Sequence, residues 1–372
     1  MLTSILGGVI FVVVFAGSIL VHELGHFAAA RALKIDVDEF GIGIPPRIVK
    51  LFRWKGTDFT LNWIPLGGFN RLKGEEDPGI PGGMAAAAPW RRILVLLAGA
   101  SMNLLTGVFA FSLLYSQVGL PQTNQVAIDS VQANSPAAQA GFQAGDRLLS
   151  VNGVKVTGVD QVRSYAYAHL DQALTFAVQR GSQTVSLTVT PLSSRSAQQG
   201  AMGVLLATPV VPASSWFATL PLSFQATGQS IVELLSLPGQ ILSGAIPASD
   251  AQFGGPRTIW NMFQQSVARD VQSRETPSTS TGGASAATTQ PTNYTLIVII
   301  NLTISLGVIN LLPIPALDGG RIFLILPELL LRRPIPVKYQ NMINGIGFIV
   351  LITLLGFFYI KDLIKPVNIT LP

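Results

Sequence analysis

The run His22-Glu23-Leu24-Gly25-His26 sets two imidazoles four residues apart, with a carboxylate next to the first. On an α-helix positions i and i+4 share a face, so both rings can converge on one metal ion while Glu23 stands beside the ion's bound water. That is the apparatus of metal-assisted hydrolysis, with the glutamate as general base. The chain has three histidines in 372 residues, a composition from which this spacing arises by chance roughly 0.0004 times. The motif also lies inside an apolar stretch, 2–33. There each ionisable group costs roughly 2.5–3.5 kcal/mol on insertion scales, which only a metal or a partner offsets. Zinc suits imidazole and carboxylate ligands in a tetrahedral site with one open position.

Two histidines leave one protein ligand to find, and with no cysteine in the chain it must be His, Asp or Glu. His169, the remaining histidine, falls in a stretch that reads as a separate soluble domain, where a solvated helix position is its expected role. Asp318 stands in the run NLLPIPALDGG, from Asn310 to Gly320, which reads as a helix broken by prolines at membrane depth. Such backbone is tolerated only where it is buried in protein or lines a cavity. Asp318 is therefore the best third ligand, and the alternative is an N-cap for a helix that starts near Gly320. Gly319 and Gly320 are expected to let the backbone approach the metal closely.

These residues need helices inside a membrane to hold them. Hydrophobic residues make up 49% of the chain and charged residues 12%, where soluble domains average roughly 25% charged. With a mean hydropathy of +0.47, an integral membrane protein is expected, and soluble, disordered and coiled-coil classes are excluded. The lack of cysteine excludes disulfide frameworks, thiol nucleophiles and cysteine-based metal clusters. Segments 2–33, 93–115, 294–312 and 342–360 are each long and apolar enough to cross a bilayer. The first has no basic leader and no small-residue cleavage site, so it is expected to remain in the mature chain.

A net charge of +5 could suggest nucleic acid, but the basic residues flank the spans, so no nucleic-acid partner is expected. Ten Lys or Arg lie in 31–92 and four in 321–338, against eight in the far longer 116–293. That bias places the first two of these segments in the cytoplasm, with both termini and the long segment on the other side.

The domain plan follows. Residues 1–33 form the first span with the HExxH motif, and 34–89 a cytoplasmic loop whose alternating pattern around Gly and Pro turns reads as hairpins pressed against the membrane. A second span covers 90–116. Residues 125–193 alternate as strands, with a short helix opened by Ser135-Pro136 and another over 162–170, and make one small α+β domain. Residues 194–272 are a helical region in which 216–246 is apolar, interrupted by Pro221 and Pro238, and suited to the membrane surface. The stretch 273–292 is a Ser/Thr/Gly/Pro-rich flexible linker. A third span and a cytoplasmic loop occupy 293–340, and a fourth span with a tail occupies 341–372.

HELGH in the first span, NLLPIPALDGG at the third and an outer domain between the second and third spans resemble the site-2 protease family of intramembrane zinc metalloproteases. Residues 134–153 (NSPAAQAGFQAGDRLLSVNG) are similar to the PDZ signature of its bacterial branch with one PDZ domain. The resemblance covers nearly the whole chain. It implies a polytopic α-helical membrane protein with four transmembrane helices, an inserted extracytoplasmic PDZ domain and a small membrane-associated β-sheet in the first cytoplasmic loop. It also implies one zinc ion per chain on His22, His26 and Asp318, with Glu23 as general base. Asn310, and Asn103 in AGASMN, match family asparagines near the substrate, while Gly67, Gly68 and Phe69 fall in the sheet that pairs with substrate. FGGPRTI (253–259) resembles a short Gly-Pro element after the PDZ domain.

The expected substrates are single-span membrane proteins already trimmed outside the bilayer, such as anti-sigma factors or signal-peptide remnants, cleaved in the bacterial inner membrane during regulated intramembrane proteolysis. The PDZ domain would then act as a size filter, or as a tether for a partner. A competing reading is an inactive PDZ membrane scaffold with a structural metal. Retention of Glu23 argues against it, and so does the absence of a fourth protein ligand.

Overall fold

The computed structural model describes residues 2–75, 77–193, 200–243, 255–275, 293–333 and 335–364. Most of the expected linker at 273–292, the first two residues of the 253–259 element and the tail beyond 364 lie outside the described residues. The chain runs α1 (Leu2–Ala32), β1 (Val37–Trp54), β2 (Thr57–Leu72) and α2 (Pro89–Val118). Next come β3 (Leu120–Pro121), β4 (Val126–Val131), α3 (Pro136–Gln139), β5 (Arg147–Val151), β6 (Val154–Lys155) and α4 (Val159–Ala168). These lead to β7 (Leu174–Arg180), β8 (Gln183–Val189), β9 (Val204–Ala207) and β10 (Val210–Val211). The last five elements are helices: α5 (Trp216–Leu242), α6 (Pro256–Glu275), α7 (Tyr294–Leu311), α8 (Asp318–Leu331) and α9 (Val337–Ile364). The described residues make two compact units, one from 2–114, 220–275 and 293–364, the other from 115–219.

In the first unit, the four expected apolar segments are α1, α2, α7 and α9, each long and apolar enough to cross a membrane. Helix α7 stops at Leu311 because Pro313 and Pro315 have no N–H to continue the ladder. The chain turns through Leu312–Leu317, with Ala316 at φ 77°, and resumes helix at Asp318. Two carboxylates, Asp362 buried and Asp270 partly so, stitch helices together by capping them from outside. Asp362 of α9 accepts from the Thr258 amide in the first turn of α6 at 2.9 Å. Asp270 of α6 accepts from the Tyr294 and Thr295 amides of α7 at 2.8 and 3.0 Å. Such bonds satisfy amides that a helix start leaves without partners. The expected break in 216–246 is absent: α5 continues through both Pro221 and Pro238.

The loop after α1 forms an antiparallel sheet in which the two long strands each serve twice. Gly41 pairs with Phe69 on one side and Thr60 on the other, and Thr60 pairs onward with Lys50. The rows therefore run 68–72, 37–44, 57–64, 47–54, and 68–72 is an edge. Glu39 in the second row is 3% exposed and knits the rows together. Its carboxylate accepts from Thr60 Oγ1 at 2.8 Å and pairs with Arg47 at 2.7 Å and Arg71 at 3.2 Å. The sheet lies against α1, where Phe27 meets Phe40 and Phe59 edge to face at 5.4 and 5.6 Å between ring centres.

The second unit is an antiparallel sheet in the order β8-β7-β5-β4-β9, with β6 added to β5. Phe176, Leu174, Val178, Val151 and Val162 fill its core together with Met202. Ser135 caps α3 by accepting from the Ala138 amide, and buried Asp146 holds Arg180 through two bonds of 2.7 Å. The sheet reaches beyond residue 193, since β9 pairs with β4. Strand β9 is only four residues long and follows a Gly-Ala-Met-Gly run, too short to show a period. His169 closes α4 as its C-cap and stacks on Tyr165.

Candidate metal centre

Helix α1 presents His22 and His26 one turn apart, both 8% exposed. Their Nε2 atoms are 3.0 Å from each other. Asp318 reaches them from the start of α8, its Oδ2 lying 3.0 Å from His22 Nε2 and 3.3 Å from His26 Nε2. Ligand atoms about 2.0–2.1 Å from a tetrahedral zinc stand about 3.3 Å apart, so the triangle has nearly the size such an ion needs. His26 Nδ1 lies 2.8 Å from the Val95 carbonyl of α2. A carbonyl can only accept, so Nδ1 carries the ring proton and Nε2 offers a bare lone pair. Asp318 Oδ2 and His22 Nδ1 are buried with no hydrogen-bond partner among the described residues. Two imidazoles and a carboxylate with converging acceptor atoms fit a zinc ion by donor type and by spacing.

The fit depends on close helix packing. A Cβ on Gly99 of α2 would lie 2.5 Å from His26 Nε2 and 2.8 Å from His22 Cε1, so only glycine leaves the rings their place. A Cβ on Gly25 would strike the Ala98 carbonyl in the same crossing. Gly319 and Gly320 allow a close approach of backbone to backbone. Their absent side chains make room for the Leu311, Leu312 and Ile314 carbonyls, letting α8 start directly beneath the proline turn. The N-cap position of α8 belongs to Leu317, with no side-chain cap bond, and Asp318 turns its carboxylate to the imidazoles instead.

The three side chains open onto a chamber of about 330 Å³ that Glu23 and Asn310 also line. Phe69, Asn70 and Leu72 of the sheet edge form one side of it, and Glu75 and Arg321 another. Glu75 and Arg321 form an ion pair. Neither was singled out from sequence, because a lone Glu in a turn and an Arg near a helix start carry no spacing signal. Asn103 lies one helical turn beyond Gly99, buried, and is not among the residues lining the chamber. Gly67 and Gly68 also fall outside the lining; they sit against Ile19 and Leu20 of α1, which brings the edge strand onto that helix.

The model of peptidase family M50 matches residues 10–354. A candidate zinc metalloprotease of Clostridium perfringens is 33% identical over 356 residues, which is 95% of this chain and 97% of that protein. Another from Brucella suis is 28% identical, covering 97% and 96% of the two chains. The metalloprotease MmpA of Caulobacter vibrioides is 27% identical, covering 87% and 86%. Among solved structures, the PDZ domain of an SdrC-like protein from Listeria monocytogenes matches 23% of the chain and 88% of its own, at 17% identity and a TM-score of 0.20. With apolar helices of membrane-crossing length and a family match along almost its whole length, the chain belongs to peptidase family M50, the site-2 protease family of zinc metalloproteases.

Proposed function

We propose that the enzyme cleaves single-span membrane proteins within the bilayer, with one zinc ion held by His22, His26 and Asp318 and with Glu23 as general base. The observation that carries this reading is the triangle of three donor atoms beside Glu23, in a polar chamber bordered by a strand edge that is unpaired among the described residues. When bound, zinc supplies water activation and polarisation of the scissile carbonyl. Glu23 takes the proton from the attacking water and delivers it to the leaving amide nitrogen. The Val95 carbonyl holds the His26 ring in the tautomer ligation needs.

A transmembrane helix bonds its own carbonyls and is protected from attack. Row 68–72 has no partner on its outer side among the described residues, and its Phe69 and Asn70 line the chamber. A locally unwound substrate added there regains the backbone bonds it loses. Asn310 is placed to orient the scissile stretch, whereas Asn103 is better suited to interhelical bonding. The excess of Lys and Arg in 31–92 and 321–338 supports a cytoplasmic location for those loops, with the PDZ-type unit and both termini outside the bacterial inner membrane. Substrates trimmed beforehand, such as anti-sigma factors or signal-peptide remnants, match that geometry.

Glu23→Gln separates this reading from the scaffold. The purified variant should keep its zinc and lose at least about 10²-fold in cleavage of a transmembrane substrate. Activity near wild type would refute the role of Glu23.

A further inference from the structure

Behind the metal chamber lies a second polar chamber of about 260 Å³, lined by Arg92, Gln340, Asn341 and Asn344 among others. The two chambers share three residues: Leu96, Glu75 and Arg321. Leu96 is an apolar, buried side chain of α2, so the ion pair Glu75–Arg321 is the polar part of the common wall. We propose that this pair is a movable partition, and that the water consumed in hydrolysis enters the metal chamber through it.

Each side of the wall is anchored, yet the pair can part. Arg321 follows Asp318 by one turn on α8, and α8 is separately fixed to α2 by the Arg92–Glu328 pair at 2.7 Å. Glu75 hangs from the turn after the edge strand, which is held by the bonds Met84 N to Lys73 O and Ala85 N to Gly74 O at 2.8 and 3.0 Å. Opening the pair therefore releases two side chains and no backbone. The Arg321 and Glu75 side chains are 42% and 33% exposed, and an ion pair with that much access to solvent is weak enough to exchange with water. The helices around the metal chamber are apolar, and each peptide bond cleaved needs one water, so a polar antechamber behind a weak partition is a route for it. The inference rests on the protease reading for its purpose, and its test does not depend on cleavage.

The chain has no cysteine, so a single introduced thiol reports local access without background. Leu317 lines the metal chamber alone and Asn344 the second chamber alone. L317C and N344C would be made in the full-length zinc-loaded protein carrying E23Q, and timed for reaction with a water-soluble methanethiosulfonate, in which the thiolate forms a mixed disulfide and sulfinate leaves. With the pair intact, L317C should react more slowly than N344C. Glu75→Gln and Arg321→Gln should each speed L317C about tenfold, the scale on which losing a charge-assisted bond shifts an opening equilibrium. N344C should be unchanged. The exchanged pair, Glu75→Arg with Arg321→Glu, should restore the slow rate, which a loosened fold would not do. An L317C rate indifferent to all three changes overturns the proposal, as does an exchanged pair that stays fast. Should a single variant lose its zinc, Glu75→Asp, which keeps the charge on a shorter arm, must give an intermediate rate or the partition is refuted. A wild-type enzyme that cleaves no transmembrane substrate would refute the protease assignment while leaving these rates to judge the partition.

Discussion

The proposed metal site turns on Asp318, which reaches from the start of α8 to the two histidines of α1. A short acidic side chain at the start of a helix would serve equally as a cap, and the sequence left both roles open. In the structure Leu317 occupies the cap position and the Asp318 carboxylate lies 3.0 and 3.3 Å from the two imidazoles. Asp318→Ala should lower bound zinc together with activity, whereas loss of a cap alone would cost about 0.5–2 kcal/mol of stability and spare the metal. Elemental analysis of the purified variant decides: zinc at the wild-type level would refute ligation. Gly99 belongs to the same scale. Its run of small residues in α2 reads as ordinary helix packing, and only the neighbouring rings reveal why no side chain fits.

In the proposed mechanism the element that receives substrate is the edge row 68–72. Hairpins were legible from alternation and turn residues, but the four-row order was not, since β1 and β2 each pair on both sides. Adjacent residues of a strand direct their amides to opposite sides, so Phe69→Pro and Asn70→Pro remove one inward and one outward donor. Proline at the outward position is tolerated by an edge strand. That variant should keep its melting temperature and zinc but cleave poorly, for want of the donor an added strand would use. The inward variant should melt at a lower temperature. Thermal unfolding and cleavage measured on both decide; strand addition fails if the thermally unchanged variant cleaves like wild type.

Over the whole molecule, the two units have separate cores, and that of the second contains residues 126–202 with β9 packed against it. A fragment spanning 119–212 should therefore fold alone with one cooperative transition. A fragment of 125–193 should not, because it lacks Met202 and the strand that covers β4; calorimetry of the two fragments tests this. In the full enzyme, deleting 119–212 should spare cleavage of a pre-trimmed substrate and newly permit cleavage of one with an intact outer domain. If the shortened enzyme still discriminates between the two as strongly as the complete chain, the filter gives way to the tether.

Local chemistry and hydrophobicity were written along the chain: His22 and His26 fall on one helix face by spacing alone, with Glu23 next to the first, and the apolar helices α1, α2, α7 and α9 are readable because each residue in lipid must satisfy itself within its own helix. Strands β4, β5, β7 and β8 were readable from their period. What required the tertiary structure was every relation set by packing between distant segments. Leu317 rather than Asp318 at the N-cap, Gly99 facing His26, Gly319 and Gly320 serving the proline turn, β9 closing onto β4, and Glu75 meeting Arg321 across 246 positions all depend on close approach in space. Periodicity records which face of an element is apolar; it carries no record of which element that face will meet.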